Sequence, residues 1–350
     1  MVRLAKEKKQ LFTQLKKVIG SRFAKNEVSI IFDFIQHYYQ DVAWEELDER
    51  ELEDLYGAAV SHWNLVCSGP LNATKINVYN PDFETHGWQS PNTVIEIATL
   101  DRPFLVNSLT MSLNTNGLAY HLVIHPVLEL CDDEQGFVSL AVDSKEKAPT
   151  ALIHIEIDRQ ISEGDKLNLI KQQLLEVLDY SAAVSDDWRD CLKQLDDVAN
   201  DLKTCSLKNK KEDISEAISF LKWIEDEHFL FLGCREYELD KDQGFKIIKG
   251  SGTGILRDEL AIIPDPVEVG LSAEMKAFVT DPVPLIVTKA TSKSIIHRPA
   301  YMDYIGVKKF NSKGLVVGEY RFLGLYTSAA YHASVNQVPL LRKKIQHVFS

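Results

Sequence analysis

Thr93-Val94-Ile95-Glu96-Ile97-Ala98-Thr99-Leu100-Asp101-Arg102-Pro103-Phe104-Leu105 joins a β-branched run to the start of a helix, and its reading decides the fold. Val94 falls on one face of a strand and Ile95 and Ile97 on alternate positions, the pattern of a pleated ribbon. Asp101 and Pro103 then stand where a helix begins, because proline has no N–H to lose in the first turn. Leu105, Leu109 and Leu113 continue at helical spacing until Asn114, Asn116 and Gly117 end the run. Further strands are expected over Ala119–Leu130, around Phe137–Val142 and over Leu152–Asp158, followed by a helix carrying Leu167, Ile170, Leu174, Leu175 and Leu178. This order predicts an α+β fold, a split βαβ sandwich with helices on one face of an antiparallel sheet.

Upstream, residues 1–70 read as a helical region closed by Ser68-Gly69-Pro70. Met1–Lys25 holds eight Lys/Arg against one Glu and no continuous apolar core, so it is not a secretory signal. Leu4, Leu11, Phe12, Leu15, Val18, Ile19 and Phe23 make it a basic amphipathic helix. Such a helix fits a membrane surface or a calmodulin-like partner, or it docks on its own domain or a neighbouring subunit. The acidic stretch 41–54, with Arg50 as its one cation, could pair with it.

Downstream, residues 183–228 read as a helical linker. Ser185, Asp186 and Asp187 start a helix with Trp188, Cys191, Leu195, Val198 and Leu202 on one stripe, and Asp213 with Glu216 resembles a capping box for the next. Residues 229–335 alternate strongly. A hairpin across Asp240–Gly244, a proline-rich partly helical insert and three strands over Leu285–Lys289, Tyr304–Phe310 and Leu315–Thr327 give the element order of a PAS-like antiparallel α/β domain. Residues 336–350 begin a further helix.

Composition narrows the function. The chain has 350 residues, 45% of them hydrophobic and 26% charged, enough for two or three cores. A net charge of −12 argues against nucleic acid and anionic membranes as partners. Cys67, Cys131, Cys191, Cys205 and Cys234 form no CxxC pair and are expected to be reduced core thiols of a cytoplasmic protein.

Chemical motifs are sparse. Gly250-Ser251-Gly252-Thr253-Gly254 could cradle phosphate, but Pro264 and Pro266 leave no room for the long helix of a dinucleotide site, and no Lys-Ser/Thr follows; a tight turn is expected. His121 and His125 point the same way on a strand, without a third ligand at suitable spacing, so no metal is expected. No GxSxG or HExxH occurs. Glu319 and Arg321 share a strand face and are expected to form a surface ion pair with Lys308 or Lys309. Arg298, Tyr301, Asp303 and Tyr304 are dense in Tyr and charge, the composition of an interface.

A helix N-terminus offers N–H groups to an anion such as an amino-acid carboxylate, which makes Asp101, Arg102, Pro103, Phe104 and Asn107 the candidate effector site. At this turn the chain resembles an ACT domain, whose first strand-to-helix turn commonly reads Asp-x-Pro-Gly-Leu. Residues 71–182 are accordingly expected to be ACT-like. Phe104 departs from that pattern where glycine lets backbone approach a ligand, so a purely structural ACT-like unit is the other reading.

Longer strings carry a broader resemblance. Glu227-His228-Phe229, Asp303-Tyr304-Ile305-Gly306-Val307-Lys308 and Gly318-Glu319-Tyr320-Arg321-Phe322-Leu323-Gly324-Leu325-Tyr326-Thr327 resemble the N-terminal part of the large bacterial NAD-specific glutamate dehydrogenases. The resemblance implies a cytoplasmic homo-oligomer and a regulatory or assembly role for this stretch. It implies NAD for the parent enzyme and none for these residues; no catalytic residue is carried over, because no position matches the family's catalytic motifs. Met1 reads as a true start and Ser350 as an interruption of a longer chain.

Overall fold

The computed structural model describes residues 2–132, 138–140, 148–161, 165–205, 207, 211–240, 244–260 and 272–349. The chain divides into two compact units, Met1–Leu178 and Asp179–Ser350.

The first unit opens with helices α1 (Val2–Arg22), α2 (Val28–Tyr38), α3 (Trp44–Asp48) and α4 (Leu52–Cys67). Strand β1 (Lys75–Tyr79), the single turn α5 (Phe83–His86), β2 (Thr93–Leu100) and α6 (Leu105–Thr115) follow. Then come β3 (Tyr120–Ile124), β4 (Val127–Asp132), β5 (Val138–Leu140), β6 (Ala148–Ile157) and the beginning of α7 (Lys166–Thr204). The sheet runs β1-β2-β6-β4-β5, antiparallel between neighbours, with β3 also on β6.

The expected Ala119–Leu130 strand is two strands. Pro126 has no amide for the ladder, and only its carbonyl meets β6, accepting from Leu152 N at 3.0 Å. Of the strand expected around Phe137–Val142, Val138–Leu140 is β5 and the flanking residues lie outside the described ones.

Helices cover both faces of this sheet, not one. Ile95, Ile97, Ile153, Ile155 and Ile157 pack with Leu105 and Leu109 of α6 and Ile170 and Leu174 of α7. Ala98, Leu122, Ile124 and Leu152 pack instead with Leu15, Ile31, Phe34, Ile35 and Leu55 of α1, α2 and α4. Seven consecutive residues of β2, Thr93–Thr99, are buried, and a strand buried on both sides needs two covers. The basic helix α1 is docked here: Leu15 and Ile19 are fully buried, Arg22 meets Glu53 at 2.6 Å, and Lys8 donates to the carbonyls of Gln40 and Val42.

In the second unit α7 continues without a break at Ser185, because the stretch Ser181–Ser185 holds neither Gly nor Pro to stop it. Helix α8 (Lys211–Trp223) leads through a tight Ile224–His228 turn into β7 (Phe229–Asp240) and β8 (Gly244–Ile247). Helix α9 (Ala273–Thr280), β9 (Leu285–Lys293), β10 (Tyr301–Phe310), β11 (Val316–Tyr326), α10 (Ser328–His332) and α11 (Leu341–Phe349) complete it. The described strands form a hairpin and a three-stranded meander in an antiparallel sheet that runs β8-β7-β11-β10-β9; of the expected proline-rich insert, residues 261–271 with Pro264 and Pro266 lie outside the described ones. One face, with Phe231, Cys234, Ile305, Val307 and Phe322, packs on Leu195, Val198 and Leu202 of α7 and Ala217, Phe220 and Leu221 of α8. Asp213 and Glu216, expected to cap α8, bind α11 instead: Glu216 takes Arg342 through both oxygens at 2.8–2.9 Å, and Asp213 meets Lys343 at 2.9 Å.

No helix among the described residues is long and apolar enough to cross a membrane. The five cysteines are free, but only Cys191 and Cys234 are core thiols; Cys67 is exposed.

Candidate functional site

The strand-to-helix turn of the first unit forms where β2 runs out of partners. Asp101 N donates to Pro149 O at 2.8 Å, the last ladder bond, and the chain reverses into α6. Phe104 sits at the N-cap in the left-handed region, φ 67°, a conformation that costs a side chain roughly 1 kcal/mol and that glycine takes freely. No side chain caps this helix; Asp101 precedes its first residue, Leu105, by four positions. Ser108 ties the turn from inside, donating its amide at 2.9 Å and its hydroxyl at 2.7 Å to Phe104 O. Asp101, Pro103 and Asn107 are exposed, Arg102 and Phe104 half-buried. Burial lowers the pKa of the nearby His125, and the Asp101 carboxylate opposes that shift.

The other sequence-derived residues take internal roles. Arg298 donates to Tyr326 O at 2.8 Å, Asp303 is buried and pairs with Lys289 at 2.7 Å, and Tyr304 donates to Glu319. Tyr301 alone of the four is more than half exposed, at 53%. His121 meets Asp158 at 2.7 Å, and no cluster of three metal-ligating side chains exists among the described residues.

The Gly250–Gly254 loop is the tight turn expected, with Gly250 at φ 76° and Gly254 at φ 57°. Its phosphate-like corner is already filled by a carboxylate: Asp187 of α7 accepts from Gly254 N at 2.7 Å and from Arg257 at 2.6 and 2.7 Å. Those hydrogen bonds hold the Asp187 carboxyl below the usual range. Both sheets are antiparallel, so among the described residues no parallel crossover of the kind that seats a dinucleotide on its pyrophosphate forms around this loop.

Sequence reasoning missed a polar stripe on the α2/α4 side of the first sheet. Glu96 on β2 lies opposite His154 on β6, with Glu156 two residues on, and all three are about 1% exposed or less. Glu96 accepts from Tyr79 at 2.9 Å and Ser61 at 3.1 Å; burial pushes its pKa up against the pull of His154 and these donors. Glu156 moves the other way. Burial opposes its ionisation, but hydrogen bonds from His154, Arg50 and Asn92 outweigh that and hold its carboxyl well below the ordinary range. His62 is kept neutral, at a pKa of about 3, by burial and by the charge of His154. Its tautomer follows from its partners: Ile97 O only accepts, so Nε2 carries the hydrogen at 2.9 Å and Nδ1 accepts from Tyr38 OH at 3.0 Å. The signal lay in the strands, since Glu96, His154 and Glu156 interrupt otherwise apolar runs at alternate positions on one face.

The ion pair expected on the surface of the second unit is also buried. Lys308 and Glu319 face each other in the β10–β11 register 2.8 Å apart, with side chains 1% and 2% exposed.

Residues 34–174 match the model of the glutamate dehydrogenase ACT1 domain, which takes in the polar stripe and the Asp101 turn. The NAD-specific glutamate dehydrogenase of Halomonas elongata is 36% identical over 99% of this chain, and that of Pseudomonas aeruginosa 32% identical over 97%. The Mycobacterium tuberculosis enzyme of the same name is 22% identical over 70%. The chain spans 22%, 21% and 14% of these three relatives, respectively. With the ACT1 match inside a near end-to-end similarity to two such enzymes, this chain belongs to the family of the large NAD-specific glutamate dehydrogenases.

Proposed function

We propose that this chain is a non-catalytic regulatory and oligomerisation segment of an NAD-specific glutamate dehydrogenase, the enzyme that converts L-glutamate, NAD and water into 2-oxoglutarate, ammonium and NADH. One observation carries the reading: nearly the whole chain matches about a fifth of each of the first two relatives, and that fifth folds as two antiparallel units in which the one glycine loop is filled by Asp187. Hydride transfer then belongs to residues outside this stretch, and self-association, in the cytoplasm, to the assembled enzyme.

The test is made on the chain and on the parent together. Given glutamate and NAD, the chain alone is expected to form no NADH, while the parent lacking it is expected to change in subunit mass or in its response to effectors. Turnover by the isolated chain, or a truncated parent unaltered in both respects, overturns the reading.

An amino-acid sensor at the ACT-like turn is the second reading, favoured by the exposed Asp101 and Asn107 beside the first turn of α6. An effector bound there acts only through different affinities for two states of the parent. Asp101→Ala should then abolish any amino-acid response without altering assembly.

A further inference from the structure

Strand alternation places Tyr304, Gly306 and Lys308 of β10, Glu319 and Arg321 of β11, and Arg235 and Tyr237 of β7 on the face of the second sheet away from the α7/α8 core. Arg235 and Arg321 lie directly opposite each other in the β7–β11 register, and like charges in that relation destabilise a sheet. Lys308 stands one strand further on, against Glu319. Among the described residues this face holds three cations against two carboxylates: Glu319 takes Lys308 at 2.8 Å and Arg321 Nε at 2.9 Å, and Asp258 takes Arg235 at 3.2 Å.

The donors are not used up. Lys308 Nζ, with three hydrogens to donate, has the Glu319 carboxylate at 2.8 Å as its ion-pair partner, and Arg235 Nε is buried without an acceptor. The Arg321 guanidinium lies 3.8 Å from the Tyr237 ring centre, with Phe245 and Tyr304 at 5.0 and 5.8 Å, and its side chain retains 21% exposure. Aromatic rings flank the fork, and Arg321 is the most exposed of the three cations, with Arg235 at 8% and Lys308 at 1%. The flat fork pairs with carboxylate and phosphate alike, but the one positive charge in excess among the described residues matches a singly charged carboxylate and leaves the second charge of a phosphate dianion unbalanced.

We propose that the Arg321–Lys308–Arg235 cluster of the second unit is a binding site for the carboxylate group of a small organic acid. It deepens the regulatory reading by giving it a ligand class, yet binding is read on this chain alone, so its failure and the failure of regulation in the parent are separate results.

The experiment is calorimetric and thermal-shift titration of the 350-residue chain with acetate, propionate and inorganic phosphate at constant ionic strength. Saturable binding of a carboxylate at concentrations where phosphate gives none is expected. Arg321→Gln should weaken it at least tenfold, and so should Arg321→Lys, which keeps the charge and loses the bidentate edge; the exposed-site variant Glu84→Ala should leave it unchanged. Arg321→Lys also guards against misfolding, its melting curve being compared with that of the unaltered chain. Absence of saturable carboxylate binding, equal binding by phosphate, or affinity untouched in a folded Arg321→Lys protein overturns the proposal.

Discussion

Arg50 closes both terminal nitrogens on the carboxylate of Glu156, at 2.5 and 3.2 Å, joining the chain just before α4 to the middle of the first sheet. Glu156 is 2% exposed in its side chain and has Asn92 as its other firm donor. Because the charge is buried, removing its partner costs more than the pair contributes over an apolar substitute.

Arg50→Met should therefore destabilise the first unit by about 3 kcal/mol, and adding Glu156→Gln should recover a large part of that. Urea unfolding of the two variants checks it. If the double variant is as unstable as the single one, the loss lies in Arg50 packing and not in the stranded carboxylate.

His62 supplies a pH signature. Its folded pKa of about 3 lies below an unfolded value near 6.5, so the unfolded chain binds the extra proton first. Stability contributed by His62 is full above about pH 6.5 and falls by up to about 1.4 kcal/mol per unit as pH drops through the window to 3. The raised carboxyl of Glu96 works in the opposite sense, losing stability as pH rises past its unfolded value, so the diagnostic is a difference. Between pH 6.5 and 5 the unaltered chain should lose about 2 kcal/mol more than His62→Gln does. Equal slopes would mean that His62 takes up its proton in the folded state.

What could be read from the residues was local. Thr93–Leu100 and the meander over 285–327 declare themselves by alternation and β-branched composition, and their hairpins by Asp240–Gly244 and Asn311–Gly314. Nothing local says that Ala98, Leu122 and Leu152 wait for α1, α2 and α4, or that the 166–204 stripe is one helix. Pairing of distant segments is decided by which apolar faces are left over, a global property. The Asp101 turn was legible because proline and aspartate punctuate it. The Lys308–Glu319 pair looked superficial because strand spacing gives the face of a side chain but not whether that face is covered.

Phe104 tests the turn directly. Its φ of 67° favours glycine, while its half-buried ring contributes packing. Phe104→Ala loses the ring and keeps the strain; Phe104→Gly loses both. The glycine variant should therefore be the more stable of the two by about 1 kcal/mol, the reverse of the order in a helix interior. Thermal melts of the pair decide it, and titration of Phe104→Gly with amino acids shows whether clearing the ring opens the effector site.

The glycine loop makes the last prediction, an order of severity. At Gly250 an added Cβ meets open space, so Gly250→Ala pays only for its φ of 76°, about 1 kcal/mol. At Gly252 the same atom would stand 1.9 Å from Leu256 O, and at Gly254 2.1 Å from Leu232 O, backbone atoms that cannot turn aside. Gly252→Ala and Gly254→Ala should each cost several-fold more than Gly250→Ala. Asp187→Ala should fall between, at about 2 kcal/mol, by leaving Gly254 N and Arg257 without their acceptor. Native-state hydrogen exchange should place all four losses in residues 179–350. A loop serving only as a passive connector would instead show four similar and small effects.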